Sequence, residues 1–312
     1  MQTILITGAS GLIGGHLINS LERKGHTVKT LTRSPFDSGT SVAQYYWDVE
    51  KNNIDTRCLE DVDTIIHLAG AGVAEKRWTA DRKKELWESR TKSTQLLYDC
   101  LKNNSHQVKS FISTSAVGFY GDRGYGILTE KSSKGEGFLA DLCEIWENEA
   151  MKIHELGIRV AIGRIGIVLA EEGGALPEMM KSVVLNAGGY FAKNPLFYPW
   201  VHVEDVVRAF TFLVENKKAK GIYNFTAPHP VSHKALMEAA IKAKGQNPVL
   251  VPTPKFALTM VLGEMADMLF NSQNCSAAKL QKAGFSFSFI KIEVAMTDLM
   301  NNQTLRLYKN IF

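Results

Sequence analysis

The feature that most constrains this chain is a run of spaced glycines near its N-terminus, in TILITGASGLIGGHLINSLERKGHTVKTLTR. Gly8, Gly11 and Gly14 follow a short β-rich run and precede apolar residues at helical spacing, which end at Gly25. A strand, a glycine turn, a helix and a second strand form the context in which such a motif binds a nucleotide. In that role Gly8 makes the tight turn, Gly11 lets the backbone approach a pyrophosphate, and Gly14 lets the helix pack on the strand. The chain is therefore predicted to begin with a nucleotide-binding unit.

The end of the second predicted strand indicates which nucleotide binds. NAD sites usually place an acidic residue there to bind the ribose 2′-hydroxyl, whereas this chain has Thr32, Arg33 and Ser34. Arg33 is a cation where a 2′-phosphate would lie. The sequence predicts NADP(H) in preference to NAD(H), and the alternative is that Arg33 is a solvated surface residue.

Strands and helices alternate along the rest of the first half. DTIIHLAGAG is a buried strand with a small-residue loop, a long amphipathic helix follows, and VKSFISTSAVGFYG is a strand that ends in hydroxyls. This order predicts an α/β fold, a Rossmann-type doubly wound parallel sheet, with a smaller, mainly helical C-terminal substrate or lid region. We predict a Rossmann NADP(H)-binding domain over residues 1–172. Residues 173–312 form a mixed region, with late Rossmann elements at about 198–226 and the smaller domain at about 227–312.

Composition excludes several classes of protein. The net charge of +4 over 312 residues comes from scattered basic residues, so neither nucleic-acid nor membrane binding is indicated. No signal peptide or membrane span is expected, and the four cysteines form no CxxC pair. The histidines have no ligand spacing with acids or cysteines, so no metal site is predicted. We expect a cytoplasmic protein with a small-molecule substrate, and a homodimer is left open. The apolar segment KFALTMVLGEMADMLF is predicted to be one amphipathic helix whose methionines fill the core, with a dimer face as the alternative.

Several segments resemble a known family. TGASGLIG, HLAG, STSAVGFYG and PWVHVEDVVRA occur in the order found in extended short-chain dehydrogenases/reductases, which include nucleotide-sugar epimerases and dehydratases. GAGVAEKRW, ESRTKSTQLL, FLADLCEIWE and LGEMADMLFNSQNCSAAKLQKAGFSFSF resemble the atypical "epimerase family protein" branch, which carries an extra C-terminal region of unassigned function. The resemblance covers nearly the whole chain.

The glycine motif and the resemblance together imply a set of cofactor contacts. They lie in the glycine loop, after the second strand, on the adenosine side, near the ribose and phosphates, and at the nicotinamide carboxamide. In chain order they are Gly8, Ser10, Gly11, Leu12, Ile13, Gly14, Thr32, Arg33, Leu68, Ala69, Gly70, Glu85, Arg90, Ile167 and Val168. For Glu85 and Arg90 the alternative is an exposed pair on the long helix.

The resemblance also directs attention to a catalytic pair. In active members of the superfamily, the helix after the serine strand carries Tyr-x-x-x-Lys, which exchanges a proton with the substrate oxygen. The corresponding place here is occupied by Phe138 and Leu142, which cannot transfer a proton. A literal Tyr-x-x-x-Lys, Tyr98 to Lys102, precedes the serine strand and is therefore in the wrong order along the chain. Placed acid–base catalysis contributes about 10²- to 10⁴-fold, so without it some activity can remain.

Other residues are candidates for the remaining chemistry. Ser115 corresponds to the substrate-orienting serine of the superfamily, with a strand-end hydrogen bond as the alternative role. Tyr120 is a weaker catalytic candidate, for which a packed aromatic is the favoured alternative. Loop carboxylates and buried histidines are weaker still; these are Asp122, Glu130, Glu136, His67 and His202.

Two functions follow from these residues. The first is an NADP(H)-dependent oxidoreductase or nucleotide-sugar epimerase-like enzyme acting on a carbonyl or sugar substrate. The alternative is a catalytically inactive NADP(H)-sensing regulatory or interaction protein. An acid or base close to the nicotinamide would distinguish them.

Overall fold

The computed structural model describes residues 1–35, 42–181, 183, 187–247 and 249–309, with the backbone alone at 187 and 301–309. The chain divides into two compact units. The first comprises Met1–Phe119, Asp141–Arg164 and Val207–Tyr223, and the second comprises Tyr120–Ala140, Ile165–Val206 and Asn224–Phe312. The domain boundary proposed after residue 172 stays a prediction.

The strands are short and follow one another along the whole chain. In order they are β1 (Thr3–Thr7), β2 (Thr27–Thr32), β3 (Ala43–Asp48), β4 (Asn53–Ile54), β5 (Thr64–His67), β6 (Ser110–Ala116), β7 (Ile127–Leu128), β8 (Arg159–Ile165), β9 (Ile167–Leu169), β10 (Ala187–Phe191), β11 (Phe197–Tyr198), β12 (Trp200–His202), β13 (Gly221–Phe225), β14 (Val231–Ser232), β15 (Val249–Thr253) and β16 (Asn274–Cys275).

Helices alternate with these strands in the first half of the chain. The α-helices are α1 (Leu12–Arg23), α2 (Ala80–Asn103), α3 (Phe138–Lys152), α4 (Leu176–Met180), α5 (Val203–Glu215), α6 (His233–Ala243), α7 (Lys255–Leu262), α8 (Ala278–Lys282) and α9 (Ile292–Lys309).

The large sheet has the strand order β13-β8-β6-β5-β1-β2-β3-β4 among the described residues. The pairs β6/β5, β5/β1, β1/β2 and β2/β3 are parallel. Thr7 at the end of β1 is in register with Leu31 of β2 and His67 of β5, and His67 is in register with Ser113 of β6. The carboxyl ends of these four strands therefore lie along one edge. The predicted Rossmann-type α/β fold is confirmed.

The core of the first unit consists of apolar residues from both the sheet and the helices that pack on it. The central strands are buried on both faces, which explains their continuous apolar runs, such as Ile4–Ile6. One cluster of buried residues in this core comprises Leu5, Leu31, Trp47, Cys58, Leu59, Val62, Ile65, Leu96, Leu97, Cys100, Leu101, Val108, Phe111, Ala150, Ile153, Ile158, Val160 and Ile162.

The second unit is built from two-stranded pairs and helices. The pairs are β10/β15, β11/β14, β12/β9 and β16/β7. The segment predicted as one apolar helix is divided here: α7 ends at Leu262, and a 3₁₀ helix runs over Gly263–Phe270. The reason is Gly263, whose φ of 63° takes the chain out of the α-helical conformation.

Candidate functional site

The glycine loop between β1 and α1 has no room for side chains at two positions. Gly8 has a φ of 68°, and a Cβ atom there would lie 2.8 Å from the backbone nitrogen of Ala69. A Cβ atom on Gly14 would lie 2.5 Å from the carbonyl oxygen of Gly8. Real Cβ atoms do not approach backbone atoms so closely, so both positions require glycine. At Gly14 the helix thus packs closely on the turn that directly follows β1.

The N-terminus of α1 has the features of an anion-binding end. Its N-cap residue is Gly11, which has no side chain to accept hydrogen bonds from the first N–H groups. The first turn holds no acidic residue. Ser10 and Gly11 are exposed, and Leu12 and Ile13 are half-buried. The free backbone donors and the positive end of the helix dipole suit a phosphate group.

Arg33 lies directly after β2, beside the glycine loop along the carboxyl edge of the sheet. Its side chain is exposed, whereas Thr32 before it is half-buried. The backbone N–H of Ser34 donates a hydrogen bond to the Thr32 hydroxyl, at 3.3 Å, which fixes the turn that carries Arg33. The arginine is therefore placed where it can meet an anion at the edge of the sheet.

The loop after β5 is held by a buried hydrogen-bond network. The hydroxyl of Thr7 accepts from the backbone N–H groups of Leu68 and Ala69, both at 3.2 Å, and lies 2.7 Å from Nδ1 of His67. Because its oxygen already accepts twice, Thr7 donates its proton to Nδ1, and the imidazole proton is on Nε2. Burial, with a smaller contribution from Arg90, lowers the pKa of His67 to about 3. His67 is thus a neutral residue that positions the loop.

Buried arginines on α2 hold the next residues of the same loop. Nη2 of Arg90 donates to the carbonyl of Ala71 at 3.0 Å, and Arg82 donates to the carbonyl of Gly72 at 2.5 Å. Glu85 accepts from Arg82 at 2.6 Å and is half-exposed. The expectation of an exposed Glu85–Arg90 pair does not describe this arrangement, because Arg90 is buried and Glu85 pairs with Arg82.

Ser115 is part of a buried ion-pair cluster that connects α3 to two strands. Its hydroxyl donates to Oε1 of Glu147 at 2.6 Å. Arg164 of β8 donates to both oxygens of the same carboxylate, each at 2.7 Å, and its guanidinium lies 3.5 Å from the ring centre of Phe119. Ser115, Glu147 and Arg164 are each at most 5% exposed as residues. Since Ser115 has one proton and donates it to Glu147, the serine oxygen can only accept further hydrogen bonds.

Helix α3 contains no tyrosine, and its only lysine is Lys152 at its last position, where it pairs with Glu149 at 2.6 Å. A second side chain of α3, that of Cys143, one residue beyond Leu142, also contacts Ser115. Burial raises the pKa of this thiol to about 11, and the nearby carboxylate of Glu147 adds to the rise. Next to Ser115, α3 therefore presents a carboxylate held by Arg164 and a buried thiol, in place of a tyrosine and a lysine.

Several predicted residues belong to the second unit. Tyr120 is fully buried and donates to Oδ1 of Asn224 at 2.7 Å. Ile167 and Val168 are half-buried in β9, in register with Trp200 and Val201 of β12.

The weaker candidates have partners of their own. Asp122 pairs with Lys193, Glu130 accepts from the backbone of Asn224 at 2.8 Å, and Glu136 is exposed. The ring of His202 stacks on that of Phe289 at 3.8 Å. In the first unit, Tyr98 packs against the core from α2, with Lys102 5.8 Å from its ring centre.

The described ranges show neither a metal-binding cluster nor a membrane-spanning helix. No group of three or more histidine, cysteine or acidic side chains there is placed to hold a metal ion. Within the same ranges, no helix combines the length and apolar character needed to cross a membrane.

Comparison with known proteins gives the family. Residues 4–225 match the model of the NAD dependent epimerase/dehydratase family. The chain belongs to this family. Residues 253–299 match a domain of unknown function, which accounts for the C-terminal segment that resembled the epimerase family branch.

Relatives in this family extend over nearly all of the chain. An epimerase family protein of Staphylococcus aureus is 32% identical over 302 residues, covering 96% of this chain and 99% of the relative. The crystal structure of human epimerase family protein SDR39U1 (isoform 2) with NADPH is 25% identical, with a TM-score of 0.86, and covers 96% of this chain and 100% of that chain. A nucleoside-diphosphate sugar epimerase from Corynebacterium glutamicum is 30% identical, with a TM-score of 0.76, and covers 96% of this chain and 58% of that chain.

The sequence did not single out the residues that pair with Ser115. Arg164 stands in RVAIGRIGIVL, a buried strand in which a charged residue signals a buried partner. Glu147 lies next to Trp146 at the end of FLADLCEIWE, a segment with many apolar residues. An ionised side chain within an apolar run was the available signal in both cases.

Proposed function

We propose that this protein binds NADP(H) and acts as an oxidoreductase or nucleotide-sugar epimerase-like enzyme that lacks a Tyr-x-x-x-Lys pair. The observation that carries the proposal is the N-terminus of α1, which has no capping side chain, lies between the obligatory Gly8 and Gly14, and is on the same sheet edge as the exposed Arg33. Membership of the NAD dependent epimerase/dehydratase family supports a nicotinamide dinucleotide, and the human relative solved with NADPH supports the phosphorylated form.

The proposal assigns the cofactor contacts by region. The α1 N-terminus holds the pyrophosphate, Arg33 the 2′-phosphate, and the loop after β5 the adenosine. The remaining contacts come from Glu85, Arg90, Ile167 and Val168. When bound, the cofactor supplies a hydride acceptor or donor, and the protein orients the substrate against it.

Ser115 suggests which form of the substrate binds. Its proton is donated to Glu147, so its oxygen accepts a hydrogen bond from a substrate hydroxyl, whereas a carbonyl oxygen needs a donor. We therefore expect an alcohol or sugar hydroxyl to be the preferred substrate, with the hydride passing to NADP⁺ and the hydroxyl proton to solvent water.

A second function is favoured by the same cluster. Ser115 is 2% exposed and its proton is committed to an ion pair, which is also the arrangement of a purely structural serine. In that case the protein senses NADP(H) without turnover.

Turnover assays distinguish the two functions. NADP⁺ reduction with a panel of alcohols and nucleotide-linked sugars, and NADPH oxidation with the matching carbonyls, are compared for the wild type, Ser115→Ala and Ser113→Ala. Ser113 lies in the same strand, is also buried, and contacts a backbone carbonyl, so it is the matched control. Loss of about 10²-fold in kcat for Ser115→Ala alone supports the catalytic proposal. If the protein binds NADPH tightly but turns over no substrate, the sensor function is favoured. If Ser115→Ala has the same rate as the wild type, Ser115 takes no part in the chemistry.

A further inference from the structure

Two buried donors, one on α2 and one on α3, have no hydrogen-bond partner among the described residues. Nε of Arg90 and Nε1 of Trp146 are both buried and unpaired. The two side chains are in contact, since the Arg90 guanidinium lies 4.7 Å from the ring centre of Trp146. Arg90 is 5% exposed and Trp146 is 7% exposed. A buried donor without an acceptor costs free energy, so an adjacent pair indicates a ligand or water that supplies acceptors.

The position of this pair follows from the strand order. Along the carboxyl edge, Arg33 follows β2, the glycine loop follows β1, and Gly70 and Ala71 follow β5, with Ser115 at the end of β6. A dinucleotide whose 2′-phosphate meets Arg33 and whose pyrophosphate meets the glycine loop extends past β1 toward β5 and β6. Its nicotinamide half then lies on the side where the unpaired donors are found.

Arg90 connects the elements on that side. It donates to the carbonyl of Ala71, and a Cβ atom on Gly70 would lie 3.4 Å from its side chain. On α3 it stacks on Trp146 and its charge acts on Cys143, whose thiol contacts Ser115. Burial lowers the pKa of Arg90 to about 10, so the guanidinium remains charged at neutral pH.

We propose that Arg90 and Trp146 form a donor pair that binds oxygen atoms in the nicotinamide half of NADP(H). In this pair Arg90, reaching over from α2, supplies the positive charge that α3 lacks, because the only lysine of α3 is exposed at its far end. The inference rests on the proposed cofactor, and it adds Trp146 as a new contact and Arg90 as a positioning residue for the reacting ring.

Binding of a cofactor fragment tests this assignment without a known substrate. Heat or fluorescence titrations with NADPH and with adenosine 2′,5′-bisphosphate, which lacks the nicotinamide half, are made on the wild type and on Arg90→Met. We expect Arg90→Met to lose about 10- to 100-fold in affinity for NADPH and less than 2-fold for the fragment. Arg33→Met, by contrast, weakens both ligands.

Two more variants distinguish direct contact with the cofactor from a structural role of these side chains. Trp146→Phe keeps an aromatic ring under the guanidinium but removes the N–H donor, and we expect a loss of about 3- to 10-fold for NADPH only. Arg82→Met removes another buried arginine of α2, one that holds the same loop at Gly72, and is expected to preserve the ratio of the two affinities. If Arg90→Met does not fold, the same two titrations are made on Arg90→Lys and Trp146→Phe.

The outcomes are distinct. Equal losses for NADPH and the fragment in the Arg90 and Trp146 variants, or no loss for either, overturn the inference and leave the donors to ordered water. If the wild type binds neither ligand, the proposed function fails instead, and the donor pair with it.

Discussion

The glycine loop and the Ser115 cluster lie on the same edge of one sheet but are built in opposite ways. At the loop, close approach of backbone atoms excludes side chains from Gly8 and Gly14, and the first N–H groups of α1 have no capping side chain. At the cluster, side chains fill the space, and Glu147 pairs with both Ser115 and Arg164. The loop is open to a ligand, whereas the cluster is a packed part of the core.

This difference separates binding from chemistry. The loop has features that suit a phosphate group, whereas the carboxylate next to Ser115 is already engaged by two donors. The loop is therefore evidence for ligand binding and gives no evidence of turnover.

Replacing Glu147 with alanine is expected to give the largest loss of stability. The change leaves the Arg164 charge and the Ser115 hydroxyl buried without their partner, at a cost of about 3 to 5 kcal/mol in the free energy of unfolding. Urea unfolding measures it. The double variant Glu147→Leu/Arg164→Met removes both charges and is expected to recover most of the loss. A Glu147→Ala variant as stable as the wild type would show that the cluster is not a packed ion pair.

Gly14→Ala tests the tightness of the loop, with its neighbour Gly15→Ala as a matched control. The added methyl group at Gly14 meets the Gly8 carbonyl and Ala9, and we expect about 1 to 3 kcal/mol of destabilisation with loss of NADPH binding. Nothing lies within 4 Å of a Cβ atom on Gly15, so that variant gains helix propensity of about 0.5 to 1 kcal/mol. Similar behaviour of the two variants would contradict the close helix–strand contact.

The pH dependence of stability tests the His67 network beside the loop. Its pKa of about 3 in the folded chain lies below the ordinary value of 6.5, so the unfolded chain binds the proton first. Its contribution is complete above about pH 6.5 and is lost as the pH falls toward 3, amounting to about 2 kcal/mol between pH 7 and pH 5. Urea unfolding gives the difference in the free energy of unfolding between pH 7 and pH 5. We expect this difference to be smaller for His67→Asn than for the wild type, and equal to that of the wild type for the control His229→Asn, at an exposed position. An equal difference in all three would exclude His67 as the group that titrates.

Arg33→Ala is expected to have the smallest effect, confined to cofactor choice. Removing a charge-assisted contact to the 2′-phosphate weakens NADPH binding by about 10-fold, leaves NADH binding unchanged, and does not alter the unfolding midpoint, since Arg33 is exposed. Parallel titrations check this, with Arg57→Ala as a control, because Arg57 is also exposed and pairs only with Asp55 among the contacts described. A parallel loss of NADH affinity would mean that Arg33 contacts a group common to both cofactors.

Sequence reasoning succeeded where structure is set by neighbours along the chain. The glycine turn, the helix that ends near Gly25 and the strand that carries Thr32 all follow from local spacing, and the structure has them within a few residues. The buried runs of β1 and β5 likewise predicted a parallel sheet. These features depend on local geometry and on periodicity, both of which are visible in one sequence.

Contacts between distant side chains were beyond that reasoning. Ser115 and Glu147 are separated by 32 positions, and Glu147 and Arg164 by 17. No pattern along the chain joins these positions, and only the packed structure shows that Glu147 points inward to an arginine. Gly263 was visible as a helix terminator, and its positive φ divides a segment whose apolar character predicted one helix.

The central claim is that the glycine loop and Arg33 make an NADP(H) site, and a titration of the wild-type protein with NADPH and with NADH tests it most directly. The account predicts saturable NADPH binding that is at least about 10-fold tighter than NADH binding. Binding of neither cofactor, or tighter binding of NADH, would contradict it.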